Sequence, residues 1–370
     1  MSATINYSES IIPAIHKVSR NNPDIRENIE GTCEKYVIPH LTRPDEYVKF
    51  SKIGDVFAEV FSSYVLNQIG IPCVSYSFAI EQVDGIQKIG TISPDYSEGC
   101  AYRVTLASMA EKVGMIDTSN DFDYIYIDLP KAMKIIDTFC KMTYISLDKE
   151  EKKQMESAFE TDIVTDFSLC NGDHHLKNTE FLVYIEKGKK RIRLAPMFDL
   201  GQSLRQGARM AFTFDDLSVK GAELIKKGYS VSQMYAKHIL AYFKANNSTP
   251  EELATNNAFR LLCYFLNYEF SDEMYDFVNT INKQHKHAKR ANMSDENYQP
   301  IITTILSEIK DKVSMQNSYI PWETMKNAFE ERQEIIFEEF CSDPFFQDAY
   351  DLIEPIKKLD YLQFPQKNSY

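Results

Sequence analysis

Asp173 and Asn178 stand five residues apart in Cys170-Asn-Gly-Asp-His-His-Leu-Lys-Asn178. A carboxylate at the first position can orient an acceptor hydroxyl and take its proton. An amide oxygen five residues on can coordinate a metal ion held on phosphates, and loops that carry out phosphoryl transfer use this spacing. A second carboxylate follows in Ala195-Pro-Met-Phe-Asp199-Leu-Gly201. A carboxylate such as Asp199 can bind a Mg²⁺ ion held on phosphates, and Gly201 would let the chain turn away. One carboxylate and one amide oxygen, completed by phosphate and water, make a sensible hard-ligand set for Mg²⁺. Either motif alone arises readily by chance; the ordered set joined by a hairpin is much rarer.

The flanking pattern supplies elements to hold these residues. Lys149 to Leu169 reads as a helix running into the Asp173 loop, preceded by a helix over Leu129 to Leu147 with Pro130 in its first turn. Phe181-Leu-Val-Tyr-Ile185 and Arg191-Ile-Arg-Leu194 read as a hairpin that returns the chain to Asp199. Upstream, Lys35-Tyr-Val-Ile38, Glu46-Tyr-Val-Lys-Phe50, Tyr76 to Gln82 and Ile86 to Ile92 read as strands, the last two around an Asp84-Gly85 turn. Between them Asp55 to Ile69 reads as an amphipathic helix with Val56, Val60, Tyr64 and Ile69 on one face, ended by Gly70. From Ser230 to Tyr361 the chain reads as helical, with breaks at Ser248-Thr-Pro250, Met293-Ser294 and Pro321. The fold class is α+β, with a small β-rich lobe over 1–98 and a large helical lobe over 99–370.

Asn171-Gly-Asp-His-His-Leu-Lys-Asn178, an apolar hairpin, and Leu194-Ala-Pro-Met-Phe-Asp199 together resemble the HipA-like serine/threonine protein kinases. Those kinases read N-x-D-R-H-x-x-N and then L-A-P-x-[FY]-D. The resemblance implies a protein-kinase-like two-lobed fold, Asp173 as the catalytic carboxylate, and Asn178 and Asp199 as metal ligands. His175 stands where the family also keeps His. His174 departs from the usual Arg, which removes whatever ion pair that Arg would make. Gly31-Thr-Cys-Glu-Lys-Tyr36 resembles the family's short phosphate-covering loop, with Gly31 and Thr32 at its turn. Lys49 fits the lysine of the third strand, and Glu59, ten residues on, fits its helix partner. The resemblance implies ATP and Mg²⁺ as cofactors and a protein Ser or Thr as acceptor. It also implies possible autophosphorylation near Thr32, and a compact layout similar to the cell-translocating kinase type.

Bulk properties narrow the alternatives. The net charge of −13 argues against a whole-protein attraction to nucleic acid. Seven scattered cysteines with no C-x-x-C argue against a disulfide framework or zinc site and for a reducing, cytoplasmic setting, with secretion as an effector left open. No leader pattern and no membrane-length apolar run is present. Cys170 reads as a small buried hydrophobe, and Trp322 as a packing residue at a helix start. Lys283-Gln-His-Lys-His-Ala-Lys-Arg290 reads as a solvated basic face, with an anionic partner as the functional alternative. Two other functions compete with the first. A phosphoinositide or inositol kinase shares D-x-H-x-x-N and D-x-G, and a nucleotide-binding pseudokinase could keep the residues without turnover.

Overall fold

The computed structural model describes residues 15–18, 33–83, 86–115, 127–206, 208–270, 274–276, 278–279, 282–283 and 320–353. Five strands form the N-terminal sheet: β1 (Ile15–Val18), β2 (Glu34–Ile38), β3 (Glu46–Phe50), β4 (Ser77–Val83) and β5 (Ile86–Pro94). Their order is β1-β4-β5-β3-β2, with β1 parallel to β4 and the other pairs antiparallel. Tyr36, Val48, Phe50, Ala79 and Ile92 alternate inward and make a small core of their own. Gly90 pairs with Phe50, and a Cβ there would lie 2.3 Å from the Lys49 carbonyl oxygen. Only glycine lets β5 approach the strand that carries Lys49 this closely.

Helix α1 (Ile53–Ile69) crosses between this sheet and the helical part of the chain. Its sequence suggests one apolar face, yet twelve of its seventeen residues are buried, Glu59, Ser62 and Ser63 among them. The extra burial comes from the second side, where Phe57 packs edge-on against Trp322 at 5.9 Å. Gly70 ends the helix with φ of 82°, and the Ile71 N–H donates to the Leu66 carbonyl. That turn directs Pro72–Val74 back across the molecule.

The remainder is mostly helical. A three-stranded sheet contains β6 (Tyr102–Thr105), β8 (Glu180–Glu186) and β9 (Lys189–Leu194), and a short parallel pair contains β7 (Ile127–Asp128) and β10 (Phe212–Thr213). Around them lie α2 (Leu106–Lys112), α3 (Leu129–Thr143), α4 (Lys149–Ser168), α5 (Ser218–Lys226), α6 (Val231–Asn246), α7 (Pro250–Thr255), α8 (Asn257–Leu266), α9 (Trp322–Ser342) and α10 (Pro344–Leu352). Asp128 caps α3 ahead of Pro130, and Asp148 with Glu151 forms a capping box on α4. Helix α3 stops at Thr143, four residues short of the Leu147 expected from sequence, because Tyr144 turns left-handed. All seven cysteines are free, and no helix among the described residues is long and apolar enough to cross a membrane. The Asp84-Gly85 turn, Met293-Ser294 and residues 284–290 lie outside the described residues.

Candidate active site

Lys49 projects from β3 to a place where two carboxylates meet it. Its Nζ donates to Glu59 Oε1 at 3.1 Å and also bonds Asp199 Oδ1. Glu59 is 1% exposed, and its second oxygen accepts from the Thr91 hydroxyl of β5 at 3.0 Å. The surroundings are dry enough for charge to matter. Burial works against the Lys49 ammonium, but Glu59 and Asp199 outweigh it and raise its pKa well above the usual lysine value. Burial alone would raise the Asp199 carboxyl; Lys49 chiefly, with Lys35 and His175 behind it, holds it below the usual range.

Asp199 is held by a route from α1. After Gly70, the Met197 N–H donates to the Pro72 carbonyl, and the Val74 N–H donates to the Met197 carbonyl, both at 2.9 Å. Two residues later the Asp199 N–H donates to the Tyr76 hydroxyl at 3.3 Å. Phe198 stacks on Tyr96 with centroids 5.5 Å apart. The turn itself differs from expectation. Asp199, not Gly201, takes the left-handed backbone, with φ of 58°. Gly201 sits in a 3₁₀ turn over Leu200–Gln202, packed on the Asp55 backbone of α1.

The second half of the site is the loop after α4. Cys170 takes φ of 51° and breaks the helix, and its buried thiol donates to the Ala328 carbonyl of α9 at 3.1 Å. The Asp173 carbonyl accepts from Asn178 Nδ2 at 2.8 Å, which closes the loop and leaves the Asn178 amide oxygen outside that bond. The Asp173 side chain is 42% exposed, and His175 Nε2 lies 3.8 Å from Asp173 Oδ1. The His175 Nδ1 accepts from the Lys177 N–H at 3.2 Å, so the ring is fixed by its own loop. Two groupings therefore form: Lys49, Glu59 and Asp199 in one, and Asp173, His175 and Asn178 in the other. His175 is, after Lys49 and Lys35, among the groups whose charge acts on the Asp199 carboxyl. Gly31 and Thr32 lie outside the described residues, as does the basic cluster beyond Lys283.

His174 points the other way, into the helical core. Its Nδ1 lies 2.7 Å from Asp166 Oδ2 and its Nε2 3.2 Å from the Thr179 hydroxyl. Burial opposes its charge, but Asp166 prevails and raises its pKa to about 9. At the position where the resemblance expects Arg, His174 makes a buried ion pair of its own with Asp166. Sequence reasoning missed Asp166, Thr91, Tyr76 and Lys35. Lys35 had a signal: it lies directly across from Lys49 in the β2–β3 register.

Among the described residues no group of three His, Cys, Asp or Glu side chains is gathered for a metal ion. Mg²⁺ is also held with one carboxylate or amide oxygen from the protein and the remaining ligands from phosphate and water, and Asn178 and Asp199 carry donors of that kind.

A sheet-borne lysine bridging a helix glutamate and an Asp-x-Gly aspartate, facing a loop at the foot of a helical lobe, is the layout of a protein-kinase-like two-lobed fold. No family model and no curated protein sequence matches the chain. Among solved structures, it is similar to the proinflammatory kinase CtkA of Helicobacter pylori, at 15% identity and a TM-score of 0.45, over 90% of this chain and 96% of that one. It is also similar to the Shewanella oneidensis toxin–antitoxin system HipA and HipB with operator DNA, at 12% identity and a TM-score of 0.33, over 68% of this chain and 62% of that one. The chemistry rests on this chain's own residues.

Proposed function

We propose that the chain is a HipA-like kinase that transfers the γ-phosphoryl group of ATP to a Ser or Thr hydroxyl of a protein. The observation that carries this reading is Lys49, held by buried Glu59 and reaching Asp199 across the molecule. A lysine so pinned is extended toward the space between sheet and helical lobe, where it can neutralise phosphate charge. Asp173 orients the acceptor hydroxyl and takes its proton. A bond forms from the acceptor oxygen to the γ-phosphorus, the bond to the β–γ bridging oxygen breaks, and ADP leaves with that electron pair. Asn178 and Asp199 would hold Mg²⁺, which supplies charge neutralisation on the phosphates. His175, whose Nε2 lies 3.8 Å from Asp173 Oδ1, serves to orient that carboxylate. Gly31 and Thr32 belong to this reading as the phosphate-covering loop, 1–98 and 99–370 as its lobes, and the cytoplasm as its compartment.

Transfer of labelled phosphate from ATP to a serine-rich protein, with phosphoinositide vesicles alongside, tests it. Label on protein is expected. Label on lipid alone would replace the acceptor class, and nucleotide binding without transfer would make the chain a pseudokinase.

A further inference from the structure

A cavity of about 310 Å³ lies between the segment that follows Asp199 and helices α5 and α6. This is at the lower end of the roughly 300–1,000 Å³ typical of ligand clefts. Its wall is apolar at Leu217, Ile225 and Met234, while Asp128, Asp216 and Arg209 supply polar groups. Gly221 lets α5 come close to this wall: a Cβ there would lie 2.9 Å from Met234 Sδ and 3.1 Å from Leu217 Cγ. Ile225, 43% exposed, offers its side chain to the cavity from α5.

The cavity adjoins the Asp173 loop. A Cβ on Gly172 would lie 3.3 Å from the Arg209 carbonyl oxygen, and the His174 ring sits 5.2 Å from Phe212. Phe212–Thr213 pairs with Ile127–Asp128, so the strand pair that backs the Asp173 loop also carries Asp128 and Thr213 of the cavity. Arg209 of the cavity wall thus lies against Gly172, the residue before Asp173.

We propose that this cavity is the docking site for the acceptor polypeptide, which inserts one large apolar side chain and sets a Lys or Arg against Asp128 and Asp216. The proposal rests on the phosphoryl-transfer reading and names the substrate class for it. An apolar anchor is recognised by the wall, and the two carboxylates outnumber the single Arg209 guanidinium. The chain's net charge of −13 favours a basic partner in the same sense.

The test is a library of Ser- and Thr-containing peptides incubated with the full chain and labelled ATP. Leu, Ile, Met or Phe at one fixed offset from the acceptor, beside Lys or Arg, is expected among the labelled peptides. Ala222, exposed on α5 and lining the cavity, provides the first variant. Ala222→Trp fills the space and should lower kcat/KM for the preferred peptide by about tenfold or more, the loss falling on KM. Asp216→Lys should shift the flanking preference from basic to acidic. Melting temperature and MgATP affinity serve as controls of folding. Labelling with no apolar preference, or a preference untouched by both variants, overturns the docking site. MgATP binding with no peptide labelled also overturns it and leaves the nucleotide half standing. Failure to bind MgATP defeats the phosphoryl-transfer reading and the docking site with it.

Discussion

His174 and Asp166 form a buried ion pair, 2.7 Å apart, that joins the Asp173 loop to the helix before it. Asp166 also accepts from Asn171 Nδ2 at 3.0 Å, so one carboxylate grips the loop at two residues. His174 carries a raised pKa of about 9, against an ordinary value of 6.5. Its stabilising contribution is therefore complete below about pH 6.5 and disappears as pH rises through 9. Linkage makes this on the order of 3 kcal/mol. Unfolding followed from pH 6 to 10 should show that decline in the wild type, and His174→Gln should flatten it. An unchanged slope in the variant would show that the pair does not titrate in this window.

Lys49→Ala should destabilise the fold as well as abolish transfer, because it leaves the Glu59 carboxylate buried without its ammonium. Breaking such a pair costs about 3–5 kcal/mol. Lys49→Ala with Glu59→Gln should recover part of the stability but none of the transfer. Denaturant melts of the two single variants and the double variant measure this coupling. Additive effects would mean that the residues do not touch in solution.

Asp173→Asn should lower phosphoryl transfer by at least about 10²-fold with MgATP affinity retained, since a general base contributes roughly 10²–10⁴. Asp199→Asn should weaken Mg²⁺-dependent nucleotide binding, more so than Asn178→Ala, because an amide cannot replace the carboxylate's charge. Calorimetry with ATP, with and without Mg²⁺, separates the two roles. Near wild-type turnover in Asp173→Asn removes that residue from the chemistry.

Gly90→Ala should cost about 1–3 kcal/mol, the range for overpacking a tight site. The added methyl meets the Lys49 carbonyl at 2.3 Å and Phe50 Cδ1 at 2.7 Å, and neither can step aside without moving β3. MgATP affinity should fall together with the melting temperature. A stable variant with intact affinity would show that β5 can retreat from Lys49.

Local pattern carried much of the architecture. Alternation marked Glu46–Phe50 and the hairpin around Glu186, and Gly70 marked the end of α1. Strand β1, the two-residue strands β7 and β10, and the burial of α1 on nearly all sides depend on partners distant in sequence, and no local period reports those. The site divides the same way. Asp173, Asn178 and Asp199 announce themselves by spacing, whereas Asp166 is an acidic residue in an acidic helix until the fold brings His174 onto it. Trp322 and Cys170 are the buried packing residues their contexts suggested.

The thiol of Cys170 and the carbonyl of Ala328 are separated by 158 positions. Arg332, 3% exposed, lies 4.7 Å over the Phe167 ring and donates to the Ala208 carbonyl at 3.3 Å. Helix α9 thus braces the root of the Asp173 loop and the segment after Asp199 together. At synthesis rates of about 5–20 residues per second, the ribosome delivers that brace roughly 8–30 s after the loop itself. A nascent chain would carry every residue proposed for phosphoryl transfer for that interval without the support that holds them in register. Ribosome-bound chains stalled after residue 320 should therefore transfer no phosphate, and activity should emerge only once α9 has cleared the exit tunnel.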